Sequence, residues 1–297
     1  MRIKKRLCAK HHCGCLITHM IDTKERPEVV TPNLDAAFLA ISSGTLEVRL
    51  AQDVEEIDAS QALRYRVFYE ERSARPIGDM GVLKRDFDAF DSIADHLLVL
   101  DHGKGSGGKA VVGTYRLLRR SLLPSDREFY TAGEYDISKI LSYPGQIMEL
   151  GRSCVDLDHR NRPTMQLLWR GIAAYVFKHN IRLMFGCASL PGTIPDAVSA
   201  DLSYLYHYHL APDLLRVRAL DHLNVNMNRV PVDRIDNKRA LARLPPLIKG
   251  YLRLGGFVGE GAVIDRQFNT IDVCVIVQTS AVTNKYYKHY ERESHSL

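Results

Sequence analysis

A carboxylate and a guanidinium, Glu149 and Arg152, stand three residues apart in the otherwise apolar run Ile147-Met148-Glu149-Leu150-Gly151-Arg152-Ser153-Cys154-Val155. Charged side chains are rarely buried unless they are paired or do chemistry, so a strand-like run carrying both reads as a site. A glutamate there can serve as a general base, and an arginine can clamp a carboxylate or a phosphate through two parallel hydrogen bonds. The competing reading is a pair of structural charges at a sheet edge, and this run alone does not separate the two. Alternation puts Glu149 and Gly151 on one face and Leu150 and Arg152 on the other, unless a bulge intervenes. Beyond the run, Asp158-His159-Arg160-Asn161-Arg162-Pro163-Thr164 is a polar loop entering an amphipathic helix, a setting in which anions are bound.

The elements that must position these residues follow from periodicity. Leu46–Leu50 alternates like a strand, and a helix is predicted from Asp53 to about Glu71, with Asp53 as N-cap and Glu56 at the capping-box position. A polar loop from Arg72 to Asp95 precedes two paired strands, His96–Leu100 and Ala110–Leu118. The Gln146–Val155 strand leads into a helix from Pro163 to His179, a strand Leu183–Ala188 and a helix from Pro195 to His207. An irregular stretch to Pro246, a short helix Leu247–Leu254 and strands Glu260–Asp265 and Thr270–Val277 complete the pattern. This order predicts a mixed α/β fold with one central sheet. It divides the chain into an N-terminal extension (1–44), one domain (45–282) and a polar tail (283–297).

Bulk properties narrow the function. With 45% apolar and 25% charged residues among 297, the composition is that of a globular protein. A net charge of +5 without long basic blocks gives no sign of nucleic-acid binding, and fits an acidic protein partner or an anionic membrane surface. No run approaches the length of about 18 apolar residues needed to span a bilayer. The six cysteines lack a disulfide framework, so reduced thiols and a cytoplasmic location are expected. In the extension, Cys8, Cys13 and Cys15 lie among histidines, but Cys-x4-Cys-x-Cys matches no zinc pattern, which favours a flexible segment, with Asp35–Ile41 as a short helix.

Three leads carry less. Gly103-x4-Gly108-Lys109 resembles a phosphate-binding loop, but Ala110 stands where Ser or Thr should hold magnesium, and a strand follows where a helix should. His207-x-His209 has the metal-ligand spacing of a strand but adjoins a Tyr-rich helix end, so no metal is expected. The apolar stripe around Trp169 suits core packing first and an acyl tunnel second.

The combination is more specific. Arg64-Tyr65-Arg66-Val67-Phe68, Asp88-x-x-Asp91, Gly113-Thr-Tyr-Arg116 and Glu149-x-x-Arg152, in this order, resemble the acyl-homoserine-lactone synthases, which have a variant of the GNAT acyltransferase fold. Leu150-Gly-Arg-Ser-Cys-Val155, Gln166-Leu-Leu-Trp-Arg-Gly-Ile172, Phe185-Gly-Cys-Ala-Ser189 and Phe268-Asn-Thr-x-Asp-Val273 resemble more closely a sister family, the ornithine–acyl-carrier-protein N-acyltransferases of ornithine-lipid synthesis. The likeness spans roughly residues 45–290.

That resemblance implies transfer of a fatty, 3-hydroxylated acyl group from acyl carrier protein to the α-amine of L-ornithine, giving lyso-ornithine lipid. An α-amine is largely protonated near neutrality and must lose a proton before attacking a thioester. Glu149 is the expected base, directly or through a water, with Arg152 gripping an anion. Asp88 and Asp91 would hold the second ammonium of ornithine; alternatively they pair with Arg64 and Arg116 in a buried network. The donor is acyl-phosphopantetheine on its carrier, with no cofactor bound. Pro163 and Met165 replace the glycines with which coenzyme A-dependent relatives bind pyrophosphate. Arg160 and Arg162 would meet the phosphate or the acidic carrier, and amides near Cys154 or Val155 the oxyanion. Cys154 as a nucleophile has no assigned histidine, so direct transfer is expected. An amphiphilic product implies transient contact with the inner face of the membrane, to which Tyr286, Tyr287, Tyr290 and nearby cations would contribute. The alternatives are an autoinducer synthase, against which the long region Ala211–Phe268 counts, and a non-catalytic acyl-carrier-binding module.

Overall fold

The computed structural model describes residues 40–280; the Cys/His-containing segment and its zinc question, and the Tyr-rich tail, lie outside the described residues. Strands β1 (Ile41–Ser43) and β2 (Leu46–Leu50) form a hairpin, so Ile41 begins a strand where a helix end was expected. Helix α1 (Val54–Tyr65) is capped by Asp53, whose side chain accepts from Glu56 N at 2.8 Å. Glu56 does not reach back to close the capping box on Asp53. Its carboxylate accepts instead from Gln52 N at 2.9 Å and from Arg49 Nη1 at 2.7 Å. The helix continues as a π-helical turn, Arg66–Glu71, a widening that often accompanies functional sites.

Strands β3 (Asp95–Asp101), β4 (Val111–Arg119) and β5 (Gln146–Val155) follow. Then come α2 (Arg162–Lys178), β6 (Ile181–Pro191), α3 (Ser199–His209), α4 (Pro246–Arg253), β7 (Ala262–Asp265) and β8 (Thr270–Gln278). The stretch before α4, expected to be irregular, contains short strands at Arg218–Ala219 and Asn224–Val225 and a helix at Asn237–Arg243. The segment Gly103–Gly108 connects β3 to β4 and enters a strand, as a hairpin connection should.

The main sheet runs β1-β2-β3-β4-β5-β6-β8-β7, with Asn224–Val225 at the far edge. Its strands pair antiparallel throughout except β5 with β6, which are parallel. Period-two alternation gives each strand two apolar faces. On one, Leu168, Ile172, Leu202 and Ile248 of the helices pack against Val48, Leu97, Met148 and Val275. On the other, Ile57 and Leu63 of α1 cover Leu98 and Leu100, while Phe129, Tyr135 and Ile140 cover Ile147, Phe185 and Ile276.

Two irregularities shape the centre of this sheet. Between β4 and β5 the register passes from Arg116 opposite Gly151 to Thr114 opposite Cys154, so β5 carries one extra residue. Arg152 takes the left-handed conformation at φ 52°, which sets the bulge there. Between β5 and β6 parallel pairing ends at Glu149 and Phe185, and the strands part beyond it. Gly186 lies at that parting: a Cβ there would sit 2.2 Å from the Leu150 carbonyl oxygen, so only glycine permits the approach.

Candidate active site

A cavity of about 380 Å³ occupies the gap between the parted strands, with Gly151–Val155 on one wall and Cys187–Ser189 on the other. The bulge decides what faces it. Strict alternation would send Arg152 to the face of Leu150; the extra residue turns it to the face of Glu149 and Arg116, and all three line the cavity.

Glu149 is 5% exposed and borders the cavity. Its Oε1 accepts from Thr131 N at 2.7 Å and Thr131 Oγ1 at 2.6 Å, and its Oε2 from Tyr130 N at 3.0 Å. Burial pushes its pKa up, against the lowering effect of the Thr131 hydrogen bonds. Fixed on the 3-10 turn Tyr130–Gly133, the carboxylate keeps acceptor capacity on Oε2.

Arg152, Arg116, Arg64, Asp88 and Asp91 meet in one place, with Asp86 as an unforeseen sixth member. Arg64, fully buried, grips Asp91 with two bonds of 2.9 and 2.8 Å and pairs with Asp86 at 2.8 Å. Arg116 reaches Asp88 at 2.5 Å and Asp91 at 3.4 Å. Arg152 reaches Asp88 at 2.9 Å and Asp86 at 3.3 Å, its guanidinium 4.9 Å from the Tyr130 ring centroid and 4.7 Å from that of Phe268. Burial would raise the Asp88 and Asp91 pKa values, but the arginines outweigh it and hold both below the usual range. Three carboxylates thus balance three guanidiniums, and neither Asp88 nor Asp91 lines the cavity. The expectation that this pair holds a substrate ammonium gives way to the network, because their oxygens are already engaged by arginines. Arg152, engaged by two aspartates, is likewise a wall of the site rather than a free anion clamp.

At the other end the cavity is bordered by Arg72, which follows the π-helical turn, and by Arg160, Asn161 and Arg162 at the start of α2, where Asn161 caps the helix by accepting from Thr164 N at 3.0 Å. Arg160 is partly committed: it donates to the Val155 carbonyl at 3.0 Å and to Glu71 at 2.5 Å. No ion pair holds Arg162 or Arg72 among the described residues. Cys154 is buried, and its thiol is pushed up to about 12 by burial, which leaves almost no thiolate at neutral pH. Met165, not Trp169, is the apolar α2 side chain that reaches the cavity; Trp169 packs edge-on against Tyr251 at 5.2 Å. His209 lies at the end of a helix and meets Tyr204 Oη at 3.2 Å.

Sequence reasoning missed a second carboxylate group. Glu134, Asp265 and Asp272 bring ligand oxygens within 4.8 Å of one another, and Asp265 and Asp272 line the cavity. Cys187 Sγ donates to Glu134 Oε2 at 3.2 Å and lies 3.8 Å from Thr131 Oγ1, linking this group to Glu149. The signal was present: Asp272 interrupts the buried apolar strand β8 as Glu149 interrupts β5. Tyr115 and Tyr251, whose hydroxyls lie 2.5 Å apart beside the cavity, were also missed.

Residues 63–170 match the family model for an acetyltransferase (GNAT) domain. The L-ornithine N(alpha)-acyltransferase of Agrobacterium fabrum is 47% identical over 257 residues, covering 86% of this chain and 88% of that protein. The protein of the same name from Rhodobacter capsulatus is 42% identical over 260 residues, covering 86% and 98%. This chain belongs to the L-ornithine Nα-acyltransferase family. It is an N-acyltransferase with the GNAT fold, a mostly antiparallel sheet flanked by helices. Among solved structures it is similar to the acyl-homoserine-lactone synthase LasI, at 13% identity and a TM-score of 0.40, over 80% of this chain and 93% of that one. Among the described residues, no helix is long and apolar enough to cross a membrane.

Proposed function

We propose that this chain transfers a 3-hydroxyacyl group from acyl carrier protein to the α-amino group of L-ornithine, giving lyso-ornithine lipid. Its relatives' name supports the acceptor, and the observation that carries the reading is the form of the cavity. A basic mouth at Arg72, Arg160 and Arg162 suits the phosphodiester of phosphopantetheine and an acidic carrier surface. Carboxylates line the opposite wall, where a cationic amino acid belongs.

In this reading Glu149 takes the proton from the α-ammonium, directly or through a water. The amine nitrogen then attacks the thioester carbonyl, forming the N–C bond. The tetrahedral intermediate sheds the second proton of its nitrogen and collapses, the C–S bond breaks, and the phosphopantetheine sulfur leaves with the electron pair and takes up that second proton, while the first passes from Glu149 to solvent. Main-chain amides around Cys154 and Val155 on the parted strand receive the oxyanion. The Arg64–Asp91 network holds the bulged segment of β5 in place through Arg116 and Arg152. No cofactor takes part beyond the carrier's own acyl-phosphopantetheine. The enzyme works in the cytoplasm, and its amphiphilic product passes to the inner face of the membrane.

The test is direct. Purified protein is incubated with carrier protein charged with a 3-hydroxy fatty acid, and with either L-ornithine or S-adenosylmethionine. Mass spectrometry should find Nα-acyl-ornithine only in the first mixture. Acylated homoserine lactone in the second would assign an autoinducer synthase, and no product in either would support a binding module.

A further inference from the structure

We propose that Glu134, Asp265 and Asp272 form the subsite for the side-chain ammonium of the acceptor, and so select an amino acid with a second amine. This deepens the proposed function and rests on it for the acceptor's identity.

The two acidic groups of the site differ in charge balance. Each aspartate of the Asp86–Asp88–Asp91 group has an arginine against it. Among the described residues, no lysine or arginine forms an ion pair with Glu134, Asp265 or Asp272, although Asp265 and Asp272 line the cavity and Glu134 stands directly behind them. Asp272 is 5% exposed and borders the cavity, and its Oδ1 has no hydrogen-bond partner. The Ser189 and Thr270 hydroxyls on the same wall stand beside this carboxylate and favour its charged form, but neither brings a positive charge. A buried carboxylate oxygen left unpaired costs free energy that a bound cation removes. An alkylammonium brings three N–H donors, and three carboxylates with their oxygens clustered offer acceptors for all of them.

The position suits the reaction. Cross-strand partners share a face, so Asp272 opposite Ser189, Thr270 opposite Asp265 and Cys274 opposite Cys187 face the same side. Phe185, opposite Glu149, faces that side too. A substrate can therefore present one amine to Glu149 and another to the acidic group within a single cavity. Burial, reinforced by Asp272, raises Glu134 to about 8, and burial raises Asp272 to about 6, as expected of carboxylates lacking a counter-cation.

Titration calorimetry of the full chain with L-ornithine and with L-norleucine, which carries a methyl where ornithine carries its ammonium, tests this. The wild type should bind ornithine at least about tenfold more tightly. Glu134→Gln and Asp272→Asn should erase that preference and leave norleucine affinity unchanged. Asp265→Asn serves as a second probe with the fold kept, because its amide oxygen can still accept from Gln267 N and Phe268 N. The proposal falls if the variants keep the preference, or if both ligands weaken together. It also falls if calcium binds tightly and is lost in Asp272→Asn while ornithine binding is untouched. Because the readout is binding, absence of acyl transfer would sink the proposed function and leave this test standing.

Discussion

Arg152 donates to Asp88 Oδ2 at 2.9 Å, and it does so from a strand position that alternation assigns to the opposite face. The left-handed residue of the bulge, Arg152 itself at φ 52°, makes the contact possible. Backbone strain at one position is thus offset by two carboxylates and two aromatic rings that receive the guanidinium.

Arg152→Leu should therefore be costly. It leaves Asp86 and Asp88 each short of a partner in a buried place, and breaking such a pair typically costs about 3–5 kcal/mol. Urea unfolding followed by circular dichroism measures it. A loss below about 1 kcal/mol would mean that the network behaves as exposed ion pairs do.

Glu149→Gln should lower kcat by about 10²–10⁴-fold, the usual worth of a positioned base, with little change in the KM for ornithine. The rise of kcat/KM with pH through deprotonation of Glu149 should disappear. Thr131→Val removes the hydroxyl donor to Oε1 and keeps the carboxylate, so it should cost far less turnover. A folded Glu149→Gln enzyme with full activity would remove the base from the scheme.

Cys154→Ala should retain turnover within about threefold, because a buried thiol held well above neutrality is a poor nucleophile. Rapid mixing with charged carrier protein in the absence of acceptor should show no burst of released thiol. A burst in the wild type that vanishes in Cys154→Ala would instead indicate an acyl-enzyme.

Much of the scaffold was legible in the sequence for physical reasons. Gln146–Val155 reads as a strand because Ile147, Met148, Leu150 and Val155 must be buried, and α2 reads as a helix because Leu168, Ile172 and Val176 recur on one side. The face of Arg152 was not legible, since one extra residue reverses alternation and nothing local marks it. The partners of Asp88 and Asp91 were equally hidden: Arg64 is 27 residues from Asp91, and Arg152 is 64 residues from Asp88. Nothing in the local sequence marks Glu134; only the fold places Asp265 and Asp272 beside it. A carboxylate interrupting an apolar strand marked both Glu149 and Asp272, and only the first was read as a site.

The acidic group also predicts how stability varies with pH. Glu134 is raised from 4.5 to about 8 and Asp272 from 3.8 to about 6, so over these windows the folded state binds more protons than the unfolded one. Stability should fall as pH rises through them, the contribution of Glu134 being complete below about 4.5 and gone above about 8. Burial and the neighbouring Asp272 and Asp265 set the direction, while Cys187 and Arg152 oppose it. Asp88 and Asp91 are lowered from 3.8, so what they contribute is present above that value and does not enter this range. Thermal unfolding between pH 5 and pH 8.5 should show a declining melting temperature that Glu134→Gln flattens. Saturating ornithine should flatten it too, because an ammonium would then neutralise the carboxylates in place of protons, and near pH 7 its binding should release protons to the buffer. A melting temperature that rises across this range in the wild type, or a variant with the same slope, would show that Glu134 titrates as an ordinary solvated carboxylate.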